Sequence, residues 1–230
     1  MNDKRCFQKD VFKCSEGDSY YCRNRFKLEE ALKTWESDPI IRAIFDLNLQ
    51  PRSILEVGCS NGWRLHALAN CFSAKCFGID PSEKAIQEGR VLYNELSLLQ
   101  STADEIPYED NKFDLVIFGF CLYLCDRKDL FKIAYEVDRV LINDGKLIIL
   151  DFHPPFPYRK PYAHFPGIFS FKMNYATLFT WNPTYALIYQ NVFAHPPEKI
   201  NLPDERMSVI VLNKDNDGQY PDSPYREVAD

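Results

Sequence analysis

The stretch ILEVGCSNGWRLHALA, residues 54–69, decides the fold. A short apolar run typical of a buried strand ends in an acidic residue, Glu56, and a turn with Gly58 and Gly62 precedes an amphipathic helix. Because glycine lacks a Cβ, its backbone turns tightly and a ligand can approach it closely. Free amides at a helix start add hydrogen-bond donors. The stretch predicts a ligand site at the turn; the alternative is a tight connection without a ligand.

Around this stretch, residues 51–152 alternate apolar runs with amphipathic segments, which is typical of a parallel sheet covered by helices. We predict strands over residues 53–57, 75–80, 96–101, 113–120 and 145–152, and helices over residues 61–71, 82–94 and 127–141. Residues 185–194 and 206–213 then predict an antiparallel pair at one edge of the sheet.

The flanks of this core lack its rhythm. Residues 1–50 are predicted to form a cap with helices over residues 28–35 and 39–47. Between residues 153 and 183 the chain has six prolines, so we expect a structured loop and no long helix in the segment 151–183. The expected division is therefore a cap (1–50), a core with this loop (51–213) and a polar tail (214–230).

Composition narrows the classes of protein. The 230 residues are 46% hydrophobic and 26% charged, with a net charge of −6, so no basic surface for nucleic acid is expected. The sequence has no apolar run long enough to span a membrane, and residues 1–10 do not resemble a signal peptide, so we expect a cytoplasmic protein. The eight cysteines contain no CxxC pair and are predicted to be reduced thiols, with a zinc site as the minor alternative.

A second motif, CFGIDPSEKAI at residues 76–86, places Asp80 at the carboxyl end of the second predicted strand. An acidic residue at this point can accept hydrogen bonds from both hydroxyls of a ribose. The alternative is that Asp80 or Ser82 only caps the following helix, and both roles can coexist. Together with the glycine turn, the motif predicts nucleoside binding.

The order of these motifs resembles that of class I S-adenosylmethionine (SAM)-dependent methyltransferases. ILEVGCSNG (54–62) is similar to the family's first motif, GIDPS (78–82) to the end of its second strand, ADEIPYEDNKFDLVIF (103–118) to its third signature, and DGKLII (144–149) completes the order. The resemblance covers about residues 51–152. One departure is Ser60, which replaces the central glycine of the first motif.

The resemblance implies an α/β, Rossmann-like seven-stranded sheet, mostly parallel with an antiparallel last strand, with helices on both faces and an N-terminal helical cap. It also implies that Glu56 orients the amino group of SAM, that Asp80 holds the ribose hydroxyls and that Asp104 accepts from the adenine amine. Further SAM contacts are expected from Gly58, Cys59, Ser60, Gly62, Pro81, Ser82, Ala103, Glu105, Phe118, Gly119, Phe120, Tyr21 and Arg23.

The methyl acceptor is expected beyond the carboxyl ends of the strands, near the cap and the 151–183 loop. His153 and His164 are candidate general bases because imidazole titrates near neutral pH, and Arg159 and Lys172 are candidate clamps for an acidic group. The alternatives are structural roles for the histidines and a small core formed by the loop aromatics. Other candidate substrate contacts are Asn24, Tyr123, Tyr162 and Tyr175.

The predicted function is methyl transfer from SAM to an oxygen, or in second place a nitrogen, of a small polar acceptor, including phosphorylated or sugar-linked metabolites. One alternative is an NAD-dependent oxidoreductase, although GCSNGW lacks the three-glycine fingerprint of that class. Another is a SAM-binding regulatory subunit without catalysis. We expect no metal, no nucleic-acid or membrane partner, and a monomer or homodimer.

Overall fold

Seven of the nine strands form one sheet in the computed structural model, which describes residues 7–223. The strands in chain order are β1 (Ser53–Val57), β2 (Lys75–Asp80), β3 (Ser97–Gln100), β4 (Phe113–Gly119), β5 (Leu141–Phe152), β6 (Tyr158–Pro161), β7 (Phe169–Lys172), β8 (Tyr185–Phe193) and β9 (Met207–Lys214). The spatial order of the sheet is β3-β2-β1-β4-β5-β9-β8. The remaining two strands, β6 and β7, form an antiparallel hairpin of their own.

The helices are α1 (Gln8–Val11), α2 (Gly17–Lys33), α3 (Pro39–Asp46), α4 (Trp63–Phe72), α5 (Glu83–Leu92), α6 (Leu130–Val140) and α7 (Thr177–Thr180). A π-helical turn, Phe12–Glu16, joins α1 to α2. Local chemistry sets two helix starts: Asp38 accepts from the amides of Ile40 and Ile41 before α3, and Ser82 accepts from that of Ala85 in α5. Within residues 7–223, none of the helices has both the length and the apolar composition needed to cross a membrane.

The strand order confirms the predicted Rossmann-like architecture. β1 pairs in parallel with both β2 and β4, so the order reverses beside β1, where open α/β sheets bind their ligands. β9 runs antiparallel between β5 and β8, which gives the predicted reversed last strand. The ligand site should therefore lie at the carboxyl ends of β1, β2 and β4.

Two apolar cores lie on the two faces of the sheet. On one face, α6 and α7 pack against the strands through Val137 and Phe179; on the other, α3 and α4 do so through Ile44 and Leu68. The continuous apolar run of β4 is buried on both faces, because side chains of successive strand residues point to opposite sides. The sheet is thus covered on both sides, as the resemblance implied.

Two predicted segments differ from the structure. The cap helix predicted to start at residue 28 begins earlier, at Gly17. The polar residues between 17 and 28 are helical as well, and the helix buries only one narrow face. The 151–183 loop contains the β6–β7 hairpin and the short helix α7. Proline is tolerated in β6 because Pro161 occupies the strand end. The predicted tail lies partly outside the described residues, which end at 223.

Core packing of β4 yields a stability prediction. The Phe113 side chain is fully buried, and its ring meets those of Phe77 and Tyr108 edge to face, with centroids 5.4 and 5.3 Å away. We expect Phe113→Ala to lower the free energy of unfolding by about 3–5 kcal/mol, through lost burial and the cavity left behind. Urea denaturation measures the change.

The control is Phe131→Ala on α6, where the phenylalanine is 75% exposed. It should change the free energy of unfolding by less than about 0.5 kcal/mol. Equal effects of the two substitutions would contradict the proposed core.

Candidate active site

A cavity of about 400 Å³ lies where the carboxyl ends of β1, β2 and β4 meet, covered by the cap. The cap contributes a single face of α2, since its lining residues recur every three or four positions. The principal lining residues are Lys9, Phe12, Gly17, Tyr20, Tyr21, Asn24, Lys27, Leu28, Ala31, Glu56, Gly58, Cys59, Ser60, Trp63, Arg64, Asp80, Pro81, Ala103, Asp104, Gly119, Phe120, Cys121, Leu124, Cys125, Asp126, Asp129 and Ile133.

The turn after β1 is fixed by backbone hydrogen bonds to β2. The amides of Gly58 and Cys59 both donate to the Ile79 carbonyl, at 2.8 and 3.1 Å. Gly58 has a φ of +77°, and a Cβ there would lie 2.7 Å from the Cβ of Cys121, so only glycine fits. Ser60 also has a positive φ, +52°, and its amide donates to Asp80 at 2.9 Å. This contact offsets the strain of a serine in the left-handed region.

Asp80 stands at the end of β2 beside this turn. Its two carboxylate oxygens accept from the amides of Ser82, at 2.8 Å, and Ser60, at 2.9 Å. Burial raises the pKa of Asp80 to about 6, although the two amides act in the opposite direction. Each oxygen of the carboxylate can accept a further hydrogen bond. Asp80 is therefore a strong acceptor at the cavity wall above this pH.

Glu56 at the end of β1 is 1% exposed. Its Oε1 accepts a hydrogen bond from Arg64 on α4, whereas its Oε2 is buried and has no hydrogen-bond partner among the described residues. Burial raises the pKa of Glu56 to about 7, and the positive charge of Arg64 opposes that rise. A buried acceptor without a partner is costly, so Oε2 calls for a donor from a ligand.

Asp104, which follows β3, is 3% exposed and already has two partners. Its Oδ2 accepts from Lys9 Nζ at 2.6 Å, and its Oδ1 accepts from the Thr102 hydroxyl at 2.9 Å. Burial acts to raise the pKa of Asp104, but these two hydrogen bonds outweigh it and hold the pKa below its ordinary value. Lys9 also contacts Asp129 at 3.1 Å. The cap is thus tied by charge to the β3 side of the cavity.

Comparison with known proteins relates the residues around this cavity to a known family. Residues 55–149 match the model of a family described as a methyltransferase domain. Residues 55–149 are therefore similar to a methyltransferase domain. Solved structures with the same fold include SAM-dependent methyltransferases.

Relatives and a solved structure agree with that similarity. A demethylmenaquinone methyltransferase of Bacillus cereus is 31% identical over 154 residues, which are 64% of this chain and 62% of the relative. A ubiquinone/menaquinone biosynthesis C-methyltransferase of Citrifermentans bemidjiense is 34% identical over 100 residues, 40% of this chain and 42% of the relative. The chain thus spans about half the length of these relatives. A SAM-dependent methyltransferase structure from Mesorhizobium loti shares the fold, with a TM-score of 0.60 and 14% identity over 78% of this chain and 99% of that one.

The residues that line the cavity fit SAM. Glu56 Oε2 is an unpartnered acceptor that suits the ammonium group of the amino-acid half. Asp80 suits the two ribose hydroxyls, and Gly58 lies at the cavity wall without a side chain. Asp104 departs from this fit in one respect, because Lys9 occupies the oxygen that an adenine amine would approach.

Most of the predicted SAM contacts converge on the cavity. Those that line it are Glu56, Gly58, Cys59, Ser60, Asp80, Pro81, Ala103, Asp104, Gly119, Phe120 and Tyr21, together with Asn24 from the predicted substrate residues.

Five other predicted SAM contacts do not line the cavity. Phe118 is fully buried in the sheet, where it packs near Phe179, and Gly62 lies against leucines of the β3 region. Ser82 caps α5, and the Glu105 side chain is 65% exposed. Arg23 points away from the cavity to a hydrogen bond with Glu16. These residues lie near the strand ends that form the cavity, but they do not point into it.

The two predicted bases lie off the cavity as well. His153 follows β5, and its ring hydrogen-bonds with Ser208 at 3.1 Å. His164 packs its ring on that of Tyr162, with centroids 5.4 Å apart. Among residues 7–223, no histidine belongs to the lining of the cavity.

The predicted clamps and aromatic contacts have partners within the hairpin region. Arg159 stacks on a phenylalanine ring of β7, and Lys172 pairs with Asp204 at 2.6 Å. Tyr175 donates to a β7 carbonyl, and Tyr162 donates to Glu16. None of these four predicted residues lines the cavity, because the hairpin holds them in its own contacts.

Tyr123 is buried directly behind the cavity wall. Tyr123 itself is not among the lining residues, whereas Tyr20 of the cap is. Sequence reasoning missed Lys9, Phe12 and Arg64 as lining residues. Only the spacing of Gly17, Tyr20 or Tyr21, Asn24, Leu28 and Ala31 could have shown which face of the cap is buried.

The Lys9–Asp104 pair can be tested by a double-mutant cycle. Lys9→Met removes the nearer cation of a buried carboxylate and leaves only Lys132 Nζ, 3.7 Å away, so we expect the free energy of unfolding at pH 7 to fall by about 1–3 kcal/mol. Asp104→Asn in the same chain should recover part of this loss, with a coupling energy of about 1 kcal/mol or more. Urea denaturation of the four proteins gives these values.

The pH dependence and a control complete this test. Because pairing lowers the pKa of Asp104, the contribution is present above the ordinary pKa of 3.8 and is lost as the pH falls below it. Lys33→Met, which removes an exposed pair with Glu30, should change stability by less than about 0.5 kcal/mol. A coupling energy near zero would contradict a stabilising interaction between Lys9 and Asp104.

Proposed function

We propose that the protein is a SAM-dependent methyltransferase that methylates a small, uncharged aromatic acceptor, such as a phenol or hydroquinone, beneath the cap. The observation that carries this proposal is one cavity lined by both Glu56 and Asp80 and by an aromatic, apolar wall. The carboxylates can accept hydrogen bonds from the polar groups of SAM, and the apolar wall can pack against an aromatic ring of the acceptor. The relatives named for quinone-related methylation support the same class of acceptor.

The apolar wall comes from the cap and from the segment after β4. Phe12 and Leu28 line it from the cap, and Phe120, Leu124 and Ile133 line it from the core. Phe120 belongs to an aromatic cluster, with its ring 5.2 Å from that of Tyr123 and 4.8 Å from that of Phe152. Burial of an apolar ring against such a wall makes the free energy of binding more favourable, whereas a sugar or a phosphate would add little.

Charge at the cavity also disfavours an anionic acceptor. Of the three cationic side chains in the lining, Lys9 pairs with Asp104 and Arg64 pairs with Glu56 and Asp38. The third, Lys27, is exposed. The sequence had favoured a polar, even phosphorylated, acceptor because of Arg159 and Lys172, which the structure places outside the lining. The described residues therefore support an uncharged acceptor.

The chain contributes alignment and hydrogen bonding to the transfer. When bound, SAM supplies an electrophilic methyl group on a sulfonium. In a phenolic acceptor, the oxygen and the adjacent ring carbon are both nucleophiles that could take this methyl group, and the acceptor would lose one proton on methylation. Tyr20 lines the cavity and offers a hydroxyl that can orient the acceptor oxygen. Alignment of this kind supplies much of the rate enhancement in displacement reactions.

Binding measurements test the cofactor half of the proposal. Isothermal titration should show SAM binding and no NAD binding by the wild-type protein. Asp80→Ala should weaken SAM binding by about 10- to 100-fold, because it removes hydrogen bonds to a charged acceptor. Asp46→Ala, which changes an exposed residue that contacts Tyr189, should leave binding unchanged. NAD binding without SAM binding would make a dehydrogenase the better assignment.

Turnover tests the acceptor half. With labelled SAM, phenols and hydroquinones should be methylated and phosphorylated sugars should not, and mass spectrometry of the product separates carbon from oxygen methylation. Tyr20→Phe should lower kcat/KM for the acceptor by about 5- to 10-fold without changing SAM affinity, since one hydrogen bond is lost. The control is Tyr135→Phe, at an exposed position of α6, which should leave kcat/KM unchanged.

Two outcomes would count against this half. SAM binding without turnover of any acceptor would favour a regulatory subunit. Preferred methylation of phosphorylated acceptors would overturn the aromatic class.

A further inference from the structure

Three charged side chains form a buried network between the cap and β1. Asp38, the N-cap of α3, contacts the Arg64 guanidinium through both carboxylate oxygens, with Arg64 Nη2 3.1 Å from Oδ2 and Nε 3.2 Å from Oδ1. Arg64 Nη1 donates to Glu56 Oε1. The side chains of Asp38, Arg64 and Glu56 are 8%, 9% and 1% exposed. The cap is thereby connected to the carboxylate that we assign to the amino-acid half of SAM.

The network is unbalanced in charge and in hydrogen bonds. Two carboxylates share one guanidinium, so at full ionisation its net charge is −1. Asp38 is fully engaged, since it also accepts from the amides of Ile40 and Ile41. Glu56 is engaged only at Oε1, and its Oε2 is buried without a partner. Buried ion pairs gain stability only when their remaining acceptors are satisfied, so a purely structural link would leave no such oxygen.

The neighbouring strand is shaped around the same pair. At Gly119, the last residue of β4, an added Cβ would lie 2.7 Å from Arg64 Nη1 and would also contact Glu56 Oε1. The φ of Gly119 is not in the left-handed region, so the glycine is needed for space and not for conformation. Gly119 and Arg64 both line the cavity. The pair is therefore built across α4, β1 and β4 at the cavity wall.

We infer that Arg64 is a positioning residue, which holds Glu56 by Oε1 so that Oε2 receives the ammonium group of the cofactor, and which couples this geometry to the cap through Asp38. The inference rests on the proposed function. An ammonium group at Oε2 supplies the missing partner and brings the charge of the network to zero. Arg64 then acts on the amino-acid half of the ligand and leaves the nucleoside half, held near Asp80, untouched.

This separation of the two halves gives a test with two ligands. S-adenosylhomocysteine carries the amino-acid half, whereas 5′-methylthioadenosine has the same adenosine and thioether without it. We expect Arg64→Met to weaken S-adenosylhomocysteine binding by about 10- to 100-fold and methylthioadenosine binding by less than about 3-fold, measured by titration calorimetry. Arg64→Lys, which keeps the charge but not the planar fork, should restore part of the loss.

Two variants and a control protect the test from misfolding. Gly119→Ala and Asp38→Asn disturb the same network from other elements and should show the same selective loss. Arg139→Met removes a partly buried arginine that pairs with Glu136, so it should lower stability without changing the ratio of the two affinities.

The pH profile adds a readout that a structural role would not move. The pKa of Glu56 is about 7 in the free protein, so wild-type affinity for S-adenosylhomocysteine should fall as the pH drops from 8 to 7, while methylthioadenosine affinity, which depends on Asp80 with its pKa of about 6, should fall only at lower pH. Without Arg64 the pKa of Glu56 rises, so Arg64→Met should be weaker across that whole range.

Equal losses for both ligands, or none for either, would overturn the inference and leave the proposed function intact. Failure of the wild-type protein to bind either ligand would instead defeat the proposed function.

Discussion

The short turn after β1 is the feature on which the rest of the site depends. Backbone amides of residues 58 and 59 share the Ile79 carbonyl of β2, and the amide of Ser60 donates to Asp80. These bonds fix the ends of two parallel strands against each other, so their carboxylates face one cavity. Residue 58 must lack a side chain, because a Cβ at Gly58 would contact Cys121.

Acidic groups dominate the cavity wall, and most of the positive charge that balances them has a partner. Lys9 from α1 pairs with Asp104 and Asp129, and Arg64 from α4 pairs with Glu56 and with Asp38 of the cap. The cap is therefore attached at two points of opposite chemistry, by a cation at the β3 side and by an anion at the β1 side. Its apolar face closes the space between them.

The sequence predicted the core strands and their ends well, because glycines and acidic residues at these ends obey local rules. Glu56, Asp80 and Asp104 were found from motifs alone. On the acceptor side, His153 and Lys172 have suitable chemistry but do not line the cavity, because the His153 ring contacts Ser208 of β9 and Lys172 pairs with Asp204. Arg64 was not recognised because its role depends on Asp38, 26 positions away, and no local pattern records such a pair.

The place of β9 in the sheet has a consequence for biosynthesis. β9 inserts between β5 and β8, so on the ribosome β5 keeps an unpaired edge until residues 207–214 have emerged. The parallel pairs among β1 to β5 involve no residue of that segment. The half of the sheet that carries the cofactor residues can therefore assemble first, with an open apolar edge that remains exposed to misassociation until late in translation.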